Sequence, residues 1–121
     1  MTLMTIRLEL ARTADFPNGS AAHGYEFTAP VTKDGHLDSS AWEPNKDRCT
    51  VTRFWGGHEQ HGRLRHVGRG WRFDYREGED DDEPFFKLEQ HRLEPDAYVT
   101  IKEMDGVERP FKIVRIEPAA P

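Results

Sequence analysis

The sequence predicts an all-β domain: a small antiparallel barrel or sandwich of six to eight strands with one short helix. Two observations indicate this fold class. Apolar residues recur at every second position in several short segments, as in strands with one buried face. Short stretches rich in Gly, Pro, Asn and Ser separate those segments. The 121 residues fit a single domain, 1–121, and seven Phe, three Tyr and three Trp can fill its core.

The first predicted strand shows the clearest pattern. Apolar side chains alternate with polar ones from residue 4 to residue 10. In a helix, the same spacing would spread apolar residues around the whole surface. Residues 15–24 collect Pro, Asn, Gly and Ser and therefore predict a loop. The further predicted strands cover residues 25–27 with an extension to Val31, then 49–55, 71–75, 86–88, 98–104 and 111–116.

One helix is predicted, over residues 38–45. The side chain of Asp38 can accept hydrogen bonds from the first free backbone N–H groups of a helix. Pro44 favours an early end, because the residue before a proline is disfavoured in the helical region. The expected helix therefore has at most about two turns.

The last two strands predict a hairpin around Asp105 and Gly106. A two-residue turn would place Ile101 opposite Pro110, which matches apolar faces poorly. A three-residue loop or a bulge would instead pair Ile101 with Phe111 and Val99 with Ile113, so we expect that register. Gly106 is then expected at positive φ.

The alternation also predicts which side chains are buried. Cys49 alternates with an apolar neighbour and is the single cysteine, so we interpret it as a buried structural thiol that forms no intrachain disulfide. The other residues predicted to be buried are Ile6, Leu8, Tyr25, Phe27, Val51, Trp71, Phe73, Leu88, Val99, Ile101, Phe111 and Ile113.

Several segments of the C-terminal half, together, are typical of one group of proteins. They read WRFDY, DDDEPFFKL followed by His91, YVTIKEMDG and PFKIVRIEP. Across residues 42–118 the chain resembles small bacterial proteins of unassigned function. The resemblance implies a single small bacterial domain and assigns no catalytic residue.

Composition and charge narrow the function classes. The net charge of -5 disfavours broad nonspecific binding to nucleic acid or to anionic membranes. We find no signal-peptide pattern and no apolar run of about 20 residues, so we expect a cytoplasmic location and no membrane association. Phosphate-loop, nucleophile-elbow and triad motifs are absent from the sequence, which argues against an enzyme without excluding one.

Three of the six histidines lie close together, at His58, His61 and His66. Zinc is bound by three or four N, S or O ligands, and these histidines with Glu59 or the acids of 79–83 suggest such a site. The spacing of His58 and His61 is one residue shorter than in the helical metalloprotease motif. The alternative is a solvated polar loop that holds no cofactor.

Two charged regions suggest further contacts. Six of the seven residues in 77–83 are acidic, which predicts an exposed mobile loop rather than a calcium loop, whose acids would alternate. Region 46–76 carries eight Lys or Arg against three Asp or Glu. The arginines that could pair with the acidic run are Arg63, Arg65, Arg69, Arg72 and Arg76.

Region 46–76 also interleaves rings with cations, as single-stranded nucleic-acid binders do. The candidate contacts are Arg53, Trp55, Trp71 and Arg72. However, alternation places Trp71 on the opposite face from Arg72, and stacking requires outward rings, so nucleic acid is the less favoured partner.

The leading hypothesis is a cytoplasmic, non-enzymatic binding or interaction module for a protein partner or small ligand. It rests on the absence of a reaction motif and on a fold class that often presents loops or a sheet face. The alternatives are a metal-dependent protein that uses His58 and His61 with nearby carboxylates, and a single-stranded nucleic-acid binder that uses region 46–76.

Overall fold

A computed structural model describes residues 3–67, 70–75, 83–86, 92–103 and 106–119. These residues form a closed antiparallel barrel with one short helix, which confirms the predicted fold class. The elements are β1 (Leu3–Leu10), β2 (Ser20–Pro30), α1 (Ser39–Asn45), a 3₁₀ helix (Lys46–Arg48), β3 (Thr50–Trp55), β4 (His58–Val67), β5 (Gly70–Tyr75), β6 (Glu83–Phe86), β7 (Tyr98–Lys102) and β8 (Glu108–Pro118).

Each strand pairs with the next one along the chain, and β8 returns to pair with β1. The closing pairing runs from Met4 opposite Pro118 to Leu10 opposite Phe111, with a register shift between Arg7 and Leu8. Because β1 and β8 pair with each other, neither of these two strands leaves an unpaired backbone edge exposed.

The barrel interior is a packed apolar core. Every residue that the alternation predicts to be buried is buried, apart from Leu88, which lies outside the described residues. At its centre, the ring of Tyr25 lies 5.1 Å from that of Phe73 and 5.2 Å from that of Phe111. Such offset and edge-on contacts fill the space between the strands and are favourable for aromatic pairs.

The two ends of the barrel differ. At the helix end, α1 and the 3₁₀ helix connect β2 to β3. The side chain of Asp38 accepts a hydrogen bond from the N–H of Ala41 (3.2 Å), which confirms the predicted cap. Trp42 is the buried residue of α1, and its Nε1 donates to the carbonyl of Leu64 (3.0 Å). At the opposite, distal end, β3 turns into β4 and β7 into β8.

The predicted register of the last hairpin is wrong by two residues. Val99 lies opposite Phe111 and Ile101 opposite Arg109, whereas Gly106 has the expected positive φ of 82°. A slip of two residues keeps the same side chains on the buried face, but apolar matching favours the wrong register because it prefers Phe111 to Arg109 as the partner of Ile101. The observed one keeps Glu103 on the inward face of the turn, beside Arg109.

The interpretation of the histidine segment as a loop is also wrong. His58–Val67 is a full strand, β4, and it follows a tight turn at Gly56 and Gly57, which both have positive φ. The alternation was hidden because the inward positions of β4 include Gln60 and Gly62. Similarly, part of the predicted loop 15–24 belongs to β2, which already begins at Ser20.

Candidate functional site

The distal end of the barrel contains a group of inward-facing polar side chains, here called the charged cluster: Tyr25, Arg53, Glu103 and Arg109. Tyr25 on β2 pairs directly with Arg53 on β3. Glu103 lies one residue beyond β7, and Arg109 stands near the start of β8. The inward face of each strand is apolar deeper in the barrel, so the cluster lies where the core meets the distal end.

One carboxylate connects the whole cluster. The Oε2 atom of Glu103 accepts hydrogen bonds from Tyr25 Oη (2.6 Å) and Arg53 Nη2 (3.1 Å). Its Oε1 atom accepts one from Arg109 Nη1 (2.8 Å). Only 1% of the Glu103 side chain is exposed, against 14% for Arg53 and 24% for Arg109. Both carboxylate oxygens are therefore satisfied by charged or strongly polar donors, as burial of a charge requires.

The ring of Trp55 lies beside both arginines. The guanidinium of Arg53 lies 4.3 Å from the ring centroid of Trp55, and that of Arg109 lies 5.9 Å from it. The imidazole of His23 meets the Trp55 ring edge-on at 4.5 Å, and Phe16 lies 4.7 Å beyond His23. Stacking of this kind restricts the guanidinium planes and adds cation–π attraction.

A second feature lies outside the barrel, on the surface of β4 and β5 near α1. It is a groove of about 400 Å³, and we call it the outer groove. That volume lies within the range of small-ligand sites. Its lining combines residues of the 3₁₀ helix, of β4 and of β5 with the indole of α1. These residues are Trp42, Lys46, Asp47, Arg63, Leu64, Arg65 and Asp74.

Ion pairs line both walls of the outer groove. Arg63 Nη1 lies 3.0 Å from Asp47 Oδ1, and Arg65 Nη1 lies 2.8 Å from Asp74 Oδ2. The arginine side chains are about half exposed, so each pair contributes only about 0–1 kcal/mol. With Lys46, the lining carries three cations against two carboxylates, on a chain whose net charge is -5.

The structure does not bring the three candidate metal-binding histidines together. His58 and His61 are three positions apart in β4, so their side chains leave opposite faces of the strand. His66 is eight positions beyond His58, which is about 26 Å along a strand, and its ring packs on Trp71 at 4.5 Å. Exposed His61 contacts Thr52 Oγ1 (3.1 Å) and Glu59 (3.5 Å).

Among residues 3–67, 70–75, 83–86, 92–103 and 106–119, no three His, Cys, Asp or Glu side chains form a group that could hold a metal ion. Zinc binding by His58, His61 and His66 therefore remains a prediction without geometric support from the described residues.

The four candidate nucleic-acid contacts are also separated. Arg53 and Trp55 stack on each other at the distal end, but Arg53 points into the barrel and bonds Glu103. Trp71 is buried against Trp42 at the helix end, with ring centroids 6.0 Å apart. Arg72 follows Trp71 and lies on the opposite face of β5. The set forms no continuous row of exposed rings beside cations.

The acidic run can be compared with the structure only in part. Residues 76–82 and Arg69 lie outside the described residues, so the predicted pairing of this run with arginines is not tested there. Two of the proposed arginines already have carboxylate partners, since Arg63 bonds Asp47 of the 3₁₀ helix and Arg65 bonds Asp74 of β5.

Cys49 has the environment expected of a structural thiol. It is fully buried beside α1, and its carbonyl accepts a hydrogen bond from the N–H of Leu64 (2.8 Å). Burial raises the pKa of the thiol to about 11, although nearby Arg48 acts in the opposite direction. The thiolate, which is the reactive form of cysteine, is therefore rare at neutral pH.

Sequence reasoning missed most of the charged cluster. It placed Arg53 among the nucleic-acid contacts and assigned no role to Glu103 or Arg109. One signal was present: Val99, Ile101 and Glu103 share one face by alternation, so the sequence already placed a carboxylate on a buried face. A buried carboxylate requires a partner, which would have directed attention to inward arginines.

No protein-family model, curated protein or solved structure matches this chain. Within the described part of the chain, no helix is long and apolar enough to cross a membrane. The resemblance to small bacterial proteins of unassigned function therefore stays an expectation from the sequence.

Proposed function

We propose that this protein is a non-enzymatic binding module and that the outer groove binds an acidic segment of a protein partner. The observation that carries the proposal is the groove itself: about 400 Å³, with Lys46, Arg63 and Arg65 at its surface. A carboxylate entering the groove would meet guanidinium groups whose geometry suits bidentate contacts. We expect this interaction in the cytoplasm.

The register of β4 and β5 supports an acidic occupant. Arg65 lies directly opposite Arg72 on the outer face of the barrel. Arg65 already pairs with Asp74, at 2.8 Å. An acidic side chain placed over the two arginines would add a further negative partner for these guanidinium groups.

The buried rings favour a protein partner over a single-stranded nucleic acid. Nucleic-acid binding without sequence preference relies on bases that stack on exposed aromatic side chains. The indole of Trp42 lines the groove, but it is buried and its Nε1 donates to the carbonyl of Leu64. Trp71 is buried as well. The groove therefore offers charge and depth, and no open ring on which a base could stack.

A labelled hexaglutamate peptide tests the proposal. Its affinity would be measured by fluorescence anisotropy at low and physiological salt, with wild type and with an Arg63→Glu/Arg65→Glu double variant. The control is Arg115→Glu on β8. Arg115 matches Arg63 in exposure (50% against 49%) and also has a carboxylate partner, Glu26 at 2.8 Å, as Arg63 has Asp47 at 3.0 Å.

We expect the double variant to lose at least tenfold in affinity and the control to change less than twofold. Equal losses in both variants would mean that the peptide responds to overall charge, which overturns the groove as the site. Tighter binding of a labelled oligothymidine than of the peptide would overturn the assignment to an acidic protein segment. Failure of wild type to bind either probe would overturn the proposal altogether.

A further inference from the structure

The charged cluster has the donor arrangement of an anion site, independent of the outer groove. Three groups from three separate segments converge on the two oxygens of one carboxylate, at 2.6, 3.1 and 2.8 Å. Two of the donors are guanidinium groups, which recognise planar carboxylates and phosphates through several N–H groups. The third is the hydroxyl of Tyr25, which is fixed by its position in the packed core.

We infer that the distal end of the barrel binds a small carboxylate or phosphate through Arg53 and Arg109, in exchange for the side chain of Glu103. Without a ligand, the carboxylate of Glu103 binds the two arginines and so competes with the ligand for them. When a monoanion such as acetate takes the place of the displaced Glu103 carboxylate, the charge beside the two arginines stays the same. The arginines accordingly keep an anionic partner before and after the ligand enters.

The position of Glu103 suits such an exchange. It lies just beyond β7, in the turn that leads to β8, and not within the strand pairing itself. Its backbone is held there by a hydrogen bond from its N–H to the carbonyl of Val107 (3.0 Å). A change of side-chain rotamer or a small movement of this turn moves the carboxylate without breaking the β7–β8 ladder.

Access to the arginines is from the distal end. Their side chains retain some exposure, whereas that of Glu103 is almost completely covered. Arg109 is the more exposed of the two arginines, and the Trp55 ring lies 4.3 Å from the guanidinium of Arg53. The stacked ring holds the Arg53 plane in place, so a ligand meets a donor that is already oriented.

Buried ion pairs of this kind contribute little to stability when compared with apolar side chains of similar size. Stability is therefore a weak reason for this cluster, which favours a binding role over a purely structural one.

Glu103→Gln provides the decisive test, because it keeps the size of the side chain and removes the competing charge. Acetate and inorganic phosphate would be titrated separately into wild type and variant, and the Nε–Hε signals of Arg53 and Arg109 followed by NMR. Glu26→Gln is the control, since Glu26 is a partly exposed carboxylate that bonds a single arginine, Arg115, on the barrel exterior (2.8 Å).

We expect Glu103→Gln to bind acetate at least tenfold more tightly than wild type, and Glu26→Gln to show no gain. Binding of acetate alone would identify carboxylates as the ligands, and binding of phosphate as well would extend the class to oxyanions in general. An unchanged affinity in Glu103→Gln, or no perturbation of either arginine signal, would overturn the inference.

Glu103→Asp keeps the test open if the Gln variant fails to fold. The shorter side chain retains the charge but withdraws the carboxylate from the guanidinium groups by about one carbon–carbon bond. We expect it to bind acetate several-fold more tightly than wild type. An affinity equal to that of wild type would count against competition by Glu103.

Discussion

Replacement of Glu103 by Leu, alone or with its partners, measures what the charged cluster contributes to stability. The single substitution leaves Arg53 and Arg109, whose side chains are only 14% and 24% exposed, without the carboxylate that both contact. Removal of one partner from a buried ion pair typically costs about 3–5 kcal/mol. For a domain of this size, about 4 °C of melting temperature corresponds to each kcal/mol, so the melting point should fall by roughly 12–20 °C.

The triple variant Arg53→Met/Glu103→Leu/Arg109→Met should behave differently. Replacement of a complete buried charge cluster by apolar residues of similar volume is often neutral or stabilising. We therefore expect its free energy of unfolding, measured by urea denaturation followed by circular dichroism, to lie within about 1 kcal/mol of wild type. Asp74→Asn, which breaks an exposed pair with Arg65, should cost about 0–1 kcal/mol and serves as the control.

Two results would refute this reasoning. If Glu103→Leu alone were nearly neutral, the arginines would find adequate compensation elsewhere, and the carboxylate would not organise the cluster. If the triple variant lost as much as the single one, the ion pairs themselves would be required for the fold. The second result would also weaken the argument that the cluster is present for binding.

Three further predictions concern the thiol, one glycine and the helix cap. Cys49 should react with a disulfide reagent at pH 8 only after urea is added, because burial raises its pKa to about 11. The thiol has a lower pKa in the unfolded chain, so the free energy of unfolding should fall as pH rises from about 9 to about 11. Gly24→Ala should cost about 3 kcal/mol by urea denaturation, because a Cβ there would lie 2.0 Å from the carbonyl oxygen of Leu8. Asp38→Ala should cost about 1 kcal/mol in the same assay through loss of the cap on α1.

Each of these predictions has its own contradicting result. Fast labelling of native protein at pH 8 would mean that Cys49 is accessible or has a lower pKa. Gly106→Ala is the control for Gly24, since a Cβ there meets nothing within 4 Å and only the positive φ of 82° opposes it; equal costs would contradict the steric argument. Ser39→Ala should leave stability nearly unchanged, and a loss equal to that of Asp38→Ala would remove the cap from the explanation.

Alternation along single strands allowed much of the fold to be predicted. Ile6 and Leu8 on β1, or Trp71 and Phe73 on β5, define a buried face from neighbouring residues alone, and all four are buried. Likewise, the helix could be located because Asp38 lies directly before it and Pro44 lies near its end. Each of these signals involves residues that are close together in the sequence, so it can be recognised without knowing which strands pair.

The features that the sequence did not predict are contacts that depend on which strands lie next to each other in the barrel. Tyr25 and Glu103 are separated by 78 positions, and nothing in either segment indicates that the barrel brings their side chains within 2.6 Å. For β4, a polar outer face combined with Gln60 and Gly62 on the inner face erased the alternation. The observed hairpin register places Arg109 opposite Ile101 and within 2.8 Å of Glu103, a polar contact that a search for apolar partners ignores.

The closed order of the strands also has a consequence for how the chain folds. Seven of the described pairings join strands that follow each other along the chain, and one, between β1 and β8, brings Met4 opposite Pro118. The loop-closure entropy of that last pairing exceeds that of any neighbouring hairpin, and nonlocal pairings of this kind slow folding. We therefore expect the meander to assemble first and the β1–β8 seam to close last. Changes along the seam, at Ile6 or Ile116, should then accelerate unfolding more than they slow refolding.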